Sequence, residues 1–371
     1  MPRALLGGPI NTRTGGYDYT RSDISIHTSL GELAFQREYT SLSVSNPTPL
    51  SSGWTHNHDT RLIFPTDPEG QPSIVLFKAH TANKYLFTIN SNGTYTPYPG
   101  LCAKLTFTQG LYVLKDSGQK TYTFNISGKL LTYADAQGHE WDYVYDTNGR
   151  LDRVNADGGK FLKLDYDAQG RIASVNDHTN RTVTYHYNAD NDLDSVEDML
   201  GQIWTYEYHP TLNHILTRAA APGDVTIERT EYYSDGRAWK QFDGEDNLVV
   251  ELIYNVNDIT TIKDAFNHTE THTYDARGTL IAQEDAAGGA QQKQYDLNFR
   301  PATITDANGD TTTLTWSADG ANLTQIVDAE GNQTDIAYNS LNLPTSVIDP
   351  RGFLTTFDYN DTLLTSRECP L

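Results

Sequence analysis

The sequence predicts an all-β protein: an array of β-hairpin repeats forming a curved or spiralling single-layer sheet, led by a β-rich domain. Three observations carry this reading. An aromatic residue returns about every 21 residues, each interval holds two turn signals, and side chains before each aromatic alternate between large apolar and polar.

The aromatic series runs Phe124, Tyr145, Tyr166, Tyr187, Tyr208, Tyr233, Tyr254, Tyr274, Tyr295, Trp316, Tyr338 and Tyr359. Most steps are 21 residues, with single steps of 20, 22 and 25. The first turn signal follows the aromatic, as in "YDTNGRL" from Tyr145 and "YDAQGRI" from Tyr166, which carry Gly149 and Gly170. The second is Asp-x-x-Gly: Asp135 to Gly138, Asp285 to Gly288, Asp306 to Gly309, Asp328 to Gly331 and Asp349 to Gly352, with "DMLG" from Asp198 of the same kind. Asp bonds its own backbone in such turns and Gly supplies positive φ. Two turns in one period leave two strand-length segments, so each repeat reads as a hairpin.

Before the anchors, Trp141, Tyr143 and Tyr145 share one face, as do Val183, Tyr185 and Tyr187. After the anchors, Leu151 and Val154 are three apart, as are Ile172 and Val175, and cannot share a face of a regular strand. This spacing predicts a bulge or early bend. A meander of hairpins stacks the anchors into an aromatic row. Roughly two dozen strands at ~4.8 Å give a ribbon of order 110 Å, or a ring ~35 Å across if it curls once. The modest hydrophobic fraction, 37%, fits a single layer with water on both faces.

Residues 1–115 lack the period but read as strands, for example "ISIHTSLGELAFQREYTSL" and "KYLFTI", separated by turns such as "DPEG" and "NSNG". They form the leading domain, continuous with the repeat sheet and packing on its first strands or capping its end. Residues 116–371 are the repeat array of about twelve hairpins.

A net charge of −21 opposes general attraction to nucleic acid or anionic membranes. No stretch has the length of a membrane-spanning helix or the apolar centre of a signal peptide. Cys102 and Cys369 are too few and too distant for a disulfide framework, and Cys102 reads as a small core residue.

Candidate chemistry is sparse. His56 and His58, with Asp59 beside them, have the spacing of a strand-borne metal pair, although a polar strand next to Trp54 explains them more simply. His268 and His272 would share a strand face ~13 Å apart and are assigned no catalytic role. Turns at Asp306 and Asp243 carry oxygen ligands suited to calcium, without the full calcium-loop pattern. Phosphate loops, nucleophile elbows and zinc-protease motifs are missing. The chain reads as non-catalytic and without a cofactor, and a Tyr-rich carbohydrate-binding or cell-surface adhesion module is the alternative.

The segments "GGPINTRTGGYDYTRSDISI", "LAFQREYTSL" and "GWTHNHDTRLIF", followed by the Tyr-Asp repeats, resemble the bacterial Rhs proteins and their YD repeats, shared with Tc toxin B and C components and teneurins. The resemblance implies a hollow β-cocoon enclosing a C-terminal toxin. Expected partners are the toxin polypeptide or the remainder of the shell, then secretion-system components and a glycan. Export without a classical signal peptide, from the cytoplasm to the bacterial exterior or surface, goes with this role. A polar, acidic lining is expected to avoid trapping the cargo. The distinctive closing region and its aspartyl self-cleavage site are not found. "YNDTLLTSRECPL" aligned on "YNSLNLPTSVIDP" places Pro370 where Asp349 stands, and the chain reads as a shell fragment.

Overall fold

A computed structural model describes residues 5–6, 10–66, 70, 72–79 and 83–369. Pro370 lies outside them, as do the first residues of the chain. The regular structure among the described residues is almost entirely strand, with two single turns of 3-10 helix at Ser41–Ser43 and Asp157–Gly159. Twenty-six strands, from Ala103–Thr108 to Leu363–Glu368, form one antiparallel sheet in strict sequence order. A meander suits this sequence because the connections are short turns, the longest being the loop of residues 209–215.

Both turn series have the same geometry. The Gly149 N–H donates to the Asp146 carbonyl at 2.9 Å, and the Gly138 N–H donates to the Asp135 carbonyl at 3.3 Å. The aspartate side chains complete each turn: Asp146 Oδ1 accepts from the N–H groups of Asn148 and Arg150, and Asp135 Oδ1 from those of Gln137 and His139. Glycines 138, 149, 170, 288, 309, 331 and 352 all have φ between 77° and 91°, where a Cβ is disfavoured. The two series differ in the strand that leaves the turn. After the anchor turn Tyr145 sits opposite Leu151 while Val144 sits opposite Arg153, so Asp152 is an extra residue. The same shift recurs at Tyr166, Tyr187 and Tyr208. This is the bulge expected from the Leu151 and Val154 spacing, and it lets both side chains be buried together.

Alternation puts anchor-turn tips along one edge of the ribbon and Asp-x-x-Gly tips along the other. The ribbon then winds back on itself. Asn342 donates to the Ser117 carbonyl at 3.3 Å and Gln137 to Thr362 Oγ1 at 2.6 Å, each across 225 residues. In both contacts an anchor-turn tip of the later winding rests on an Asp-x-x-Gly-edge turn of the earlier one. Such a return corresponds to about 21 strand steps, ~100 Å of ribbon and a ring ~32 Å across. Ladder hydrogen bonds do not close this ring, because the strand order runs open from first to last.

The leading region contains separate small sheets. Leu5–Leu6 pairs with Ile10–Asn11; Asp18–Thr28, Gly31–Thr40 and Trp54–His56 form a three-stranded sheet; Arg61–Ile63, Ile74–Lys78, Lys84–Ile89 and Tyr95–Pro97 form a four-stranded one. Its placement corrects two expectations. Rather than packing only on the first repeats, the segment from Thr28 back to Thr12 marches across the repeats: Thr28 meets Trp141, Asp23 meets Tyr185, Tyr17 meets Glu228 and Thr12 meets His272. The anchor face from Trp141 to Tyr274 is therefore covered, and a layer wetted on both faces does not describe it. The reason is visible in the alternation: Val183, Leu162 and Val175 are fully buried, and such a face needs a second layer.

Tyr166→Phe removes the hydroxyl that donates to the Leu151 carbonyl at 2.7 Å while keeping the ring. Urea unfolding is expected to show a loss of about 1–2 kcal/mol, and an unchanged midpoint would mean that this bond carries no stability.

Candidate functional site: the anchor face and its seam

Each anchor is tied to the repeat before it. The hydroxyls of Tyr145, Tyr166, Tyr187 and Tyr208 donate to the carbonyls of Leu130, Leu151, Ile172 and Leu193, always 15 residues upstream, at 2.7–2.9 Å. Those acceptors are the residues at which the preceding bulge begins. Burial pushes the hydroxyls of Tyr145, Tyr166 and Tyr187 well up, so they remain donors at any physiological pH. Tyr254 and Tyr338 bond Ala238 and Leu323 in the same way, and the Trp316 indole N–H replaces a hydroxyl on Pro301.

The arginine of the motif supplies the second tie. Arg150 pairs with Asp146 in its own turn and lies 4.4 Å over the Tyr166 ring of the next repeat. Arg171 does the same with Asp167 and Tyr187, at 4.3 Å. A guanidinium held flat by a carboxylate and stacked on an aromatic face favours Arg over Lys. The repeat pattern marks this arginine without revealing its role, because its ring partner belongs to the next repeat.

Other predicted positions fall differently. At the 25-residue step the anchor geometry belongs to Tyr232, whose hydroxyl donates to Leu216; the predicted Tyr233 donates instead to Leu252. Tyr274 meets Thr12 of the leading region. Phe124 has no hydroxyl and packs edge-on against Phe77, and Tyr295 and Tyr359 are half-buried. Turns at Asp285, Asp306, Asp328 and Asp349 close onto Gly288, Gly309, Gly331 and Gly352 as backbone turns. The Asp306 carboxylate accepts from its own loop's N–H groups, and the Asp243 carboxylate does likewise.

His56 and His58 do not converge. His56 stacks on Phe35, and burial pushes its imidazole down to about 3, leaving it neutral. His58 lies beyond the strand and bonds the Ala34 carbonyl and the Tyr143 hydroxyl. His268 and His272 do not share a strand either: His268 lies in the turn beside Asp264, and His272 is buried against Thr12. Among the described residues no group of three His, Cys, Asp or Glu could hold a metal ion. Cys102 is half-buried at the seam, its Sγ 3.6 Å from the Gly320 carbonyl, rather than in the core.

The covered part of the face is locked by one buried cation. Arg37 is 0% exposed, bonds both oxygens of Asp23 and donates to the Tyr206 hydroxyl at 2.9 Å. Tyr185 donates to the same carboxylate at 2.8 Å. Leading region and ribbon thus share one desolvated network.

Beyond residue 290 the same face lies open. Register places Ile304, Leu314, Ile326, Ile336, Val347 and Phe357 on it, all half-buried. Its strand positions include Lys293 and Arg367 but no carboxylate; Asp335 and Asp358 point to the opposite face. No helix among the described residues is long and apolar enough to cross a membrane.

Fold and repeat geometry define a hairpin-repeat wall. Comparison with known families gives the finer assignment. "Teneurin YD-shell" matches residues 105–181, "RHS Repeat" matches 274–312 and 316–356, and DUF6531, described as a domain of unknown function, matches 7–83. The chain is an Rhs/YD-repeat protein. It is 28% identical over 148 residues to the tRNA nuclease WapA of Bacillus subtilis strain 168 and, equally, to the tRNA3(Ser)-specific nuclease WapA of Bacillus spizizenii. The match covers 40% of this chain and 6% of either relative. Solved structures that align include TcdB2-TccC3 without its hypervariable C-terminal region (TM-score 0.47, 13% identity, 100% of this chain and 23% of that one). The Photorhabdus luminescens Tc holotoxin pore aligns similarly (0.46, 13%, 95% and 22%).

Two outcomes are expected. Arg37→Met leaves Asp23 buried without its cation and costs about 3–5 kcal/mol in chemical denaturation; Arg37→Lys does not restore it, because the two-pronged contact is lost. Backbone N–H groups from Arg150, Asn247 and Phe353 hold the carboxyls of Asp146, Asp243 and Asp349 below the ordinary value. A depressed folded-state pKa gives stability that is present above the unfolded value of ~3.9 and is lost as pH falls through the folded one. Thermal midpoints should be flat from pH 6 to 5 and fall below about pH 4; a flat profile to pH 2 contradicts the turn assignment.

Proposed function

We propose that the chain is a shell portion of a polymorphic toxin, a non-catalytic wall that encloses or guides a toxin polypeptide. The trailing anchor face is turned toward that polypeptide. The observation that carries this reading is the continuity of the face: where it is covered, it holds an extended segment of the chain itself, and where it is open, it keeps the same apolar spacing. The lining is then apolar with scattered cations, replacing the acidic lining expected from composition. Toxin, remaining shell and export machinery are the partners, with release from the cytoplasm to the outside of the bacterium. The nuclease activity named for the WapA relatives belongs on this reading to the enclosed cargo class, not to the wall. A glycan platform has less support, because anchor hydroxyls and ring faces are already taken by carbonyls and guanidiniums.

Small-angle scattering should give a radius of gyration well above the ~21 Å of a compact chain of this length. A reduced, carboxymethylated polypeptide that cannot fold should bind saturably, and Ile336→Asp or Phe357→Asp should weaken it roughly tenfold or more, as a buried charge does. Binding that is absent, or indifferent to both substitutions, contradicts the proposal.

A further inference from the structure

The two windings meet along a seam of turn tips, and one tip carries a side chain unlike any other of its series. Anchor turns place glycine at the left-handed position in Gly149, Gly170, Gly236, Gly278 and Gly320, and asparagine in Asn191 and Asn342. In "YDLNFRP" that position is Phe299, with φ of 60°. Every other non-glycine residue of positive φ in the described chain has a polar side chain. A bulky apolar residue is strained there, and such strain persists only where surrounding contacts impose it.

The contacts are those of the seam. Phe299 stacks on Tyr98 of the leading region with ring centroids 5.9 Å apart, and the Arg277 guanidinium lies 4.7 Å from the centre of the Phe299 ring. Beside it Gly100 is pressed against the Asn298 carbonyl, where a Cβ would stand at 2.7 Å. A cavity of about 730 Å³ opens at this place, bounded by Tyr98, Gly100, Phe299, Arg13 and Arg300. Next along the seam come Cys102 against Gly320 and Ser117 against Asn342. None of these contacts is a strand ladder, so each winding is stiff along its length and weakly held to the next.

We propose that Phe299 is a latch: it accepts a strained backbone in order to place an aromatic ring on Tyr98 and so closes the first winding of the wall. The latch rests on seam geometry; that its opening would give cargo a lateral way out rests on the shell reading.

Cys102 reports the seam directly, since its Sγ lies against the Gly320 carbonyl across the seam and burial pushes its thiol up, slowing its reaction while the seam is closed. The experiment measures thiol-labelling rates of the full chain carrying Cys369→Ser, alongside thermal melts. Phe299→Gly relaxes the turn, so the melting point should hold or rise. Labelling of Cys102 should nevertheless accelerate roughly 2- to 10-fold, the population change set by losing one aromatic pair. Tyr98→Ala should accelerate labelling equally without touching the turn, and Phe299→Tyr should restore the slow rate. If labelling is unchanged in both Phe299→Gly and Tyr98→Ala, the latch is wrong, whatever the chain does with unfolded polypeptide. A rate raised in Phe299→Gly alone, with a lowered melting point, would equally overturn it by showing a local turn defect.

Discussion

Everything in this wall depends on the hydrogen bond from an anchor hydroxyl to the carbonyl at the bulge one repeat earlier. A bulge adds a residue that the ladder does not pair and leaves local backbone groups in need of partners. Tyrosine supplies a rigid ring long enough to cross one strand pair and a donor at its tip. Because acceptor and donor are 15 residues apart in a 21-residue unit, each of the repeats from Leu130 to Tyr208 is completed only by its successor. That dependence explains why the unit recurs at so constant an interval. It also explains why Trp316 can substitute, since an indole N–H is the other long aromatic donor.

The motif's remaining letters act in the same direction. Aspartate closes its own turn and fixes the arginine, and arginine stacks on the next anchor. The contacts are individually modest, but they are nearest-neighbour terms repeated along the chain, and repeat arrays gain their stability from such sums. Bulges at regular spacing also bend the ribbon in a constant sense, which is how a sheet of this width avoids an unlimited open edge.

Winding creates a division of strength. Along the ribbon, ladder hydrogen bonds run without interruption through 26 strands. Among the described residues the windings meet through turn tips, with a stacked ring pair and a few side-chain bonds. Across the anchor face lies the leading region, held by apolar packing around Trp54 and Phe35 and by the Arg37 network. The first winding is therefore the rigid part of the molecule, and the trailing repeats combine an open apolar face with a separable seam.

The sequence by itself determined the local structure: hairpins from two turn signals per period, strand faces from alternation, and a bulge from Leu151 and Val154. These features are fixed by neighbours within a few residues, which a periodic pattern records. At the irregular step the pattern pointed to Tyr233, and only pairing with Ala238 identified Tyr232 as the true anchor. Burial of His56 and His58 on different partners, and the match of Arg37 to Asp23 and Tyr206, were likewise settled in three dimensions. The seam lay furthest from view, because Phe299 meets Tyr98 and Gln137 meets Thr362 only after the ribbon has turned through some two hundred residues. Curvature accumulates from small rotations at every strand, and no single segment of sequence states where their sum brings two edges together.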